Sequence, residues 1–291
     1  MGVADLRFAE PAVNIRLNIP TLLLSMRRLP LVAYLLVLWT SFTGALTAGL
    51  GQGFDLGTEW PGALYRLVES AAGGSFEPIH RFSTVVAGVA VAAFAVRYWR
   101  QTRLWAAGAL LLLVVTALTG RMVLLALGGQ VPPPWSLFVY PVNNFFALLT
   151  AFFLLAAAVD SVDWRRSVLL RGAAFWSVVA SLSGAYMLGL HKIQRVPFQY
   201  QLAPTLESAP LLLHIAAAFL AVSLAVAASM RVGSWVGRVL AAAAVMQAAT
   251  GGLMYLGAAG DAWAPGPQTA LHTVFAHVMA TTSAVAYIKK R

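Results

Sequence analysis

Glu77-Pro78-Ile79-His80-Arg81-Phe82 follows the polar turn Gly74-Ser75-Phe76 and opens a mostly apolar run that lasts to Trp99. A carboxylate, a helix-starting proline, an imidazole and a guanidinium thus stand at the lip of a segment long enough to cross a bilayer. Ionisable groups there are costly to place and need partners. The stretch therefore predicts a transmembrane helix whose outer end carries a site. His80 is the candidate metal or heme ligand, Glu77 its chemical neighbour, and the second half of the site must come from elsewhere in the chain.

Working outward, the composition agrees. The chain of 291 residues is 60% hydrophobic and 10% charged, with a mean hydropathy of +0.77. That excludes an ordinary soluble domain. At roughly 20 apolar residues per span there is room for about eight transmembrane helices. The net charge of +10 follows topology. Basic residues gather before the first span (Arg7, Arg16, Arg27, Arg28) and in alternate connections (Arg97, Arg100, Arg103; Arg165, Arg166, Arg171; Arg231, Arg238), and again at Lys289, Lys290 and Arg291. By the positive-inside rule these segments and both termini face the cytoplasm. The outer connections, with Arg66, Arg81, Arg121, Lys192 and Arg195 against six carboxylates, are close to neutral. The expectation is a multi-pass plasma-membrane protein in the lipid bilayer, with no nucleic acid as partner. With no cysteine, disulfides, Fe–S clusters and thiolate ligands are excluded. No cleaved signal peptide is expected, and residues 12–26 suit the membrane surface.

Taken in order, the chain predicts spans at about Leu29–Leu50, Phe82–Trp99 with its lead-in from Glu77, Leu104–Leu127, Phe138–Val159, Gly172–Leu190, Ala209–Met230, Trp235–Ala258 and Gln268–Ile288. A long outer loop covers 52–74, and Pro132-Pro133-Pro134 stiffens a second outer turn. The two halves repeat. Thr43-Gly44-Ala45 matches Ser183-Gly184-Ala185, and Thr119-Gly120 matches Thr250-Gly251. Pro78, Pro141, Pro210 and Pro267 are each expected to open an even-numbered helix, followed by His80, Asn143 (then Asn144), His214 and His272. The fold class expected is all-α: about eight transmembrane helices in two pseudo-symmetric four-helix bundles. Their bounds are an N-terminal segment 1–28, a bundle 29–160, a linker 161–171 and a bundle 172–291.

His214 and His272 lie near the outer ends of two helices of one bundle, where two imidazoles can hold a heme iron from both faces. The bland alternative is a hydrogen bond from each to its neighbours. In the N-terminal half the partner of His80 is an asparagine, Asn143 or Asn144, a poor iron ligand that can donate a hydrogen bond to something bound on iron. An iron there would be five-coordinate or take its sixth ligand from elsewhere. Glu77 has two readings, an N-terminal helix cap or a functional group beside a porphyrin edge, as proton acceptor or polar clamp. Arg81 is expected to pair with a heme propionate, with Glu77 or with Glu59. His191 is a weak ligand candidate. His277, about 140° round the helix from His272, is expected to pack or to support. Trp60, Trp135 and Trp263 suit an interfacial belt.

The ordered set Gly44, Glu59-Trp60-Pro61, Glu77-Pro-Ile-His80-Arg81, Thr119-Gly120, His214, Thr250-Gly251-Gly252 and His272 resembles heme A synthase over about residues 29–288. The Glu-x-x-His-Arg entry after a Trp-Pro loop is the most specific part. The resemblance implies heme b on His214 and His272, and heme O as the substrate at His80. There its C8 methyl would be oxidised to the formyl group of heme A, with Glu77 associated with that chemistry. Heme O synthase and cytochrome oxidase assembly proteins are the implied partners. Three features depart from the family. Asn143 or Asn144 replaces the second N-terminal histidine of many members, a cysteine pair of some members is missing, and Ile215 stands where many have arginine. The first departure leaves two readings: a substrate heme held by His80 alone, or a protein that binds heme without making heme A.

Overall fold

The computed structural model describes residues 27–160, 167–196, 209–231, 235–259 and 264–289, with Ala258 and Ala259 by backbone only. Among them regular structure is helical: α1 (Arg28–Gly49), α2 (Leu64–Ala72), α3 (Glu77–Leu127), α4 (Trp135–Ala158), α5 (Val168–Gln194), α6 (Ala209–Arg231), α7 (Trp235–Ala259) and α8 (Gln268–Ile288). All but α2 are long and apolar enough to cross a membrane. The protein is a polytopic helical membrane protein. Arg7, Arg16, residues 12–26, Arg165, Arg166, Trp263, Lys290 and Arg291 lie outside the described residues.

The 51 residues of α3 would extend about 77 Å as one straight rod, far beyond a hydrocarbon layer of about 30 Å. The helix instead breaks at Thr102 (φ −135°, ψ 39°) and doubles back. Its two ends return to one side. Glu77 accepts a hydrogen bond from the Asp55 backbone, and a Cβ on Gly128 would stand 3.2 Å from Phe54. The expected second and third spans are both present, joined by a single non-helical residue instead of a loop.

Two other expectations are corrected. The outer loop at 52–74 contains α2, whose Leu64, Leu67, Val68, Ala71 and Ala72 follow the helical apolar period. Pro141 does not open its helix. Trp135 to Phe138 already form the first turn on a Pro134 N-cap, and Pro141 lies inside α4. Its ring cannot donate to the Leu137 carbonyl, and that oxygen lies against Gly189 of α5, where a Cβ would come within 3.0 Å.

The interior is rich in alanine, with Ala33, Ala106, Ala109, Ala151, Ala173, Ala221 and Ala225 wholly buried. Small residues let helix backbones approach closely where lipid removes the hydrophobic drive. Helices α1, α4, α5 and α8 pack on one another between the halves, while both limbs of α3 flank one side and α6 and α7 the other. A polar seam runs through the junction. Tyr34 Oη meets Thr281 Oγ1 at 3.0 Å, and fully buried His277 meets Asn144 Oδ1 at 3.0 Å. Asn144 Nδ2 donates to Ser181 Oγ at 2.9 Å. At one end of the molecule Arg27 pairs with Asp160 at 2.8 Å. At the other, Lys192 Nζ donates to the Gln52 carbonyl at 2.7 Å and Gly266 N to the Gly49 carbonyl at 3.0 Å.

Candidate functional site

Four Ser/Thr-Gly pairs each back one polar side chain on the next span. A Cβ on Gly44 would stand 2.8 Å from His80 Cε1, one on Gly184 2.9 Å from His214 Cε1, and one on Gly251 3.0 Å from His272 Cε1. The fourth, on Gly120, would stand 3.4 Å from Asn143 Nδ2. Glycine at these positions lets an imidazole lie flat against the neighbouring backbone. The hydroxyl before each glycine completes the cradle: Thr43 to His80 Nδ1 at 3.3 Å, Ser183 to His214 Nδ1 at 3.3 Å, Thr250 to His272 Nδ1 at 3.2 Å, and Thr119 to Asn143 Nδ2 at 3.0 Å.

These contacts fix which nitrogen is free. His214 Nδ1 lies 2.8 Å from the Ala180 carbonyl, which only accepts, so Nδ1 carries the proton and Nε2 the lone pair. Thr43 and Thr250 donate their own hydrogens to backbone carbonyls and so accept from His80 and His272 in the same sense. Tethering Nδ1–H makes Nε2 the lone-pair nitrogen, the arrangement metal-binding histidines use, although on His272 that nitrogen accepts from the Gln247 amide. The rings of His214 and His272 are 6.0 Å apart between centroids. Metal–imidazole bonds of about 2.0–2.1 Å put two opposed ring centres about 6.3 Å apart, so the separation of the two rings suits one shared iron once Gln247 gives up His272 Nε2. Gln247 Nε2 lies 3.1 Å from His272 Nε2, while its own Oε1 is buried without a partner.

One cavity of about 1890 Å³ reaches His80, Asn143, Asn144, His214, Gln247 and His272. It is about twice the largest usual small-ligand pocket. Val89, Leu118 and Phe219 line it and are also exposed, so it opens sideways. Among the described residues no three His, Cys, Asp or Glu side chains converge on a metal site. A bare ion needs such a set; an iron that brings a porphyrin asks the protein for only one or two axial ligands. The donor set fits heme.

Glu77 and Arg81 form a buried pair that lines the cavity, with Arg81 Nη2 2.5 Å from Glu77 Oε1. Glu77 Oε2 accepts from the Asp55 and Leu56 backbones at 2.7 and 3.3 Å. All five N–H groups of Arg81 are spent, Nε and Nη2 on Glu77 and the rest on the carbonyls of Gly57, Glu59 and Pro61. Of its expected pairings the structure shows the one with Glu77; the Glu59 side chain lies 3.5 Å from Arg66 instead. His191 is buried in the last turn of α5, against the Val196 carbonyl at 3.1 Å. His277 supports Asn144 across the seam. Trp60 and Trp135 are exposed.

Sequence reasoning missed Gln247, whose signal was an amide one helical turn before Thr250, and left open which asparagine faces the site. Asn143 takes the cradle of Thr119 and Gly120, whereas Asn144 is bound to Ser181 and His277. No protein-family model matches the sequence, and no curated protein matches it.

Proposed function

We propose that the protein is a membrane heme oxidoreductase of the heme A synthase type. Its C-terminal half would hold heme b on His214 and His272, and its N-terminal half would take heme O as substrate at His80. The observation that carries this reading is the pair of imidazoles with centroids 6.0 Å apart, each laid on a glycine and tethered at Nδ1. When bound there, heme b supplies one-electron transfer with no iron position left for substrate. The residues do the rest. Ser183 and Thr250 orient the two rings, Thr43 and Gly44 orient His80, and the sideways opening admits an apolar substrate. Glu77 is the carboxylate nearest this chemistry, and taking a proton would require Arg81 to release Oε1. Heme O synthase and cytochrome oxidase assembly factors are the partners this reading implies. It places the chain in the plasma membrane with both termini cytoplasmic.

A second reading is a b-type cytochrome that carries electrons and makes no heme A. The occupancy of every Glu77 oxygen, together with an asparagine where a second imidazole would stand, favours it. Co-expression with a heme O synthase, then extraction and chromatography of the hemes, separates the two. Heme A that accumulates and vanishes in His80→Ala establishes the enzyme. Heme b alone, unaltered by that substitution, leaves the electron carrier. In either case His272→Ala should remove the low-spin heme spectrum; its persistence would refute the C-terminal assignment.

A further inference from the structure

The polarity of the amide in the N-terminal site follows from its partners. Asn143 Nδ2 lies 2.9 Å from the Thr116 carbonyl and 3.0 Å from Thr119 Oγ1. A backbone carbonyl only accepts, so the atom facing it is the amide nitrogen. The Thr119 hydroxyl gives its hydrogen to the carbonyls of Val115 and Thr116, so it too accepts from Asn143. Both N–H groups are therefore consumed by α3. The atom of this side chain left without a partner among the described residues is Oδ1, and Asn143 lines the same cavity as His80. In the internal repeat Asn143 holds the position of His272, as His80 holds that of His214.

We infer that Asn143 faces His80 across the N-terminal site and presents a hydrogen-bond acceptor there, selecting a ligand with a hydrogen to give, such as water, a hydroxyl or an amine. The sequence alone suggested the opposite polarity, an amide that donates. The difference has a chemical consequence. An acceptor stabilises a protic ligand and does nothing for one that lacks a hydrogen. The inference rests on the proposed heme at His80, and Asn143 acts in it as a specificity-determining group.

The test uses the full chain, purified with its hemes, and two small ligands: methylamine, which has N–H on its binding atom, and carbon monoxide, which has none. Asn143→Leu should weaken methylamine binding about tenfold, the worth of one hydrogen bond, and leave carbon monoxide within about twofold. Loss confined to carbon monoxide, or equal loss of both, overturns the acceptor assignment. Asn143→His should add a second low-spin signal and abolish binding of both ligands; continued binding overturns the placement opposite His80. The His214–His272 low-spin spectrum is the fold control in every variant. A wild-type protein in which no heme takes up either ligand overturns this inference together with the N-terminal heme. Ligand binding as expected without heme A formation overturns only the catalytic reading.

Discussion

The carboxylate of Glu77 is buried with a guanidinium 2.5 Å away, both side chains 3% exposed, where the sequence allowed it a helix cap, a proton acceptor or a polar clamp beside a porphyrin edge. Geometry narrows those roles because the groups are counted. Arg81 has five N–H groups, and each meets an oxygen of Glu77 or of the loop backbone at Gly57, Glu59 and Pro61. The pair staples the 52–74 connection onto the start of α3, directly before His80. Removing one partner strands a buried charge, which costs about 3–5 kcal/mol, whereas removing both costs less than the sum. Glu77→Ala and Arg81→Ala should therefore each lower the thermal unfolding temperature sharply in detergent, with the double variant recovering part of the loss. Strictly additive losses would show that the two groups act independently. For the same reason His80→Ala is the cleaner probe of activity, since Glu77→Ala disturbs the loop as well as any chemistry.

The elements carry their message in glycines. Gly184 and Gly251 touch the imidazoles of His214 and His272, and a Cβ at either would press the ring at 2.9–3.0 Å. Gly257, further along α7, does not line the cavity, and a Cβ there would meet only Gln268 Nε2 at 3.7 Å. Mid-helix glycine costs about 0.5–1 kcal/mol relative to alanine, so Gly257→Ala should be neutral or slightly stabilising. Gly184→Ala and Gly251→Ala should displace a ring and reduce low-spin heme per mole of protein. Absorbance spectra of the three purified variants decide it, and equal heme content in all three would remove the cradle role. This pairing was half legible in the sequence, where Thr43-Gly44-Ala45 repeats as Ser183-Gly184-Ala185, because the repeat aligns each glycine with the next polar exception. The choice between Asn143 and Asn144 was not legible: adjacent residues point about 100° apart on a helix, and only packing against Thr119 or Ser181 decides which takes the glycine-backed position equivalent to His272. Nor was the fate of Arg81, since its acceptors are backbone carbonyls, and side-chain patterns do not encode where a loop's carbonyls point. Helix α2 was overlooked although its apolar period was present, because loop signals at Gly53, Gly57 and Pro61 dominate that stretch.

For the whole molecule, the doubling of α3 at Thr102 decides which residues share a side. It brings Gly128 back beside Phe54 and Thr58, so the 52–74 and 128–134 connections lie together with the Glu77–Arg81 staple. The Arg27–Asp160 pair and Lys289, whose Nζ sits 4.9 Å from the Trp105 ring centre, mark the other end with the break. Charge then proposes the orientation: Arg97, Arg100 and Arg103 surround the break, and positive residues stay cytoplasmic. A chain without cysteine makes the test direct, because each introduced thiol is the only one present. Gln101 and Gln130 are exposed and flank the second limb of α3, one just before the break and one just after the helix ends, and replacing either leaves every charge in place. A membrane-impermeant maleimide applied to intact cells should label Gln130→Cys and spare Gln101→Cys, and permeabilised cells should give both. The reverse pattern would invert the molecule and put His80, His214 and His272 near the cytoplasmic leaflet. Labelling of both variants from outside would mean that the polypeptide does not cross the bilayer between Thr102 and Gln130, which would contradict the doubled helix itself.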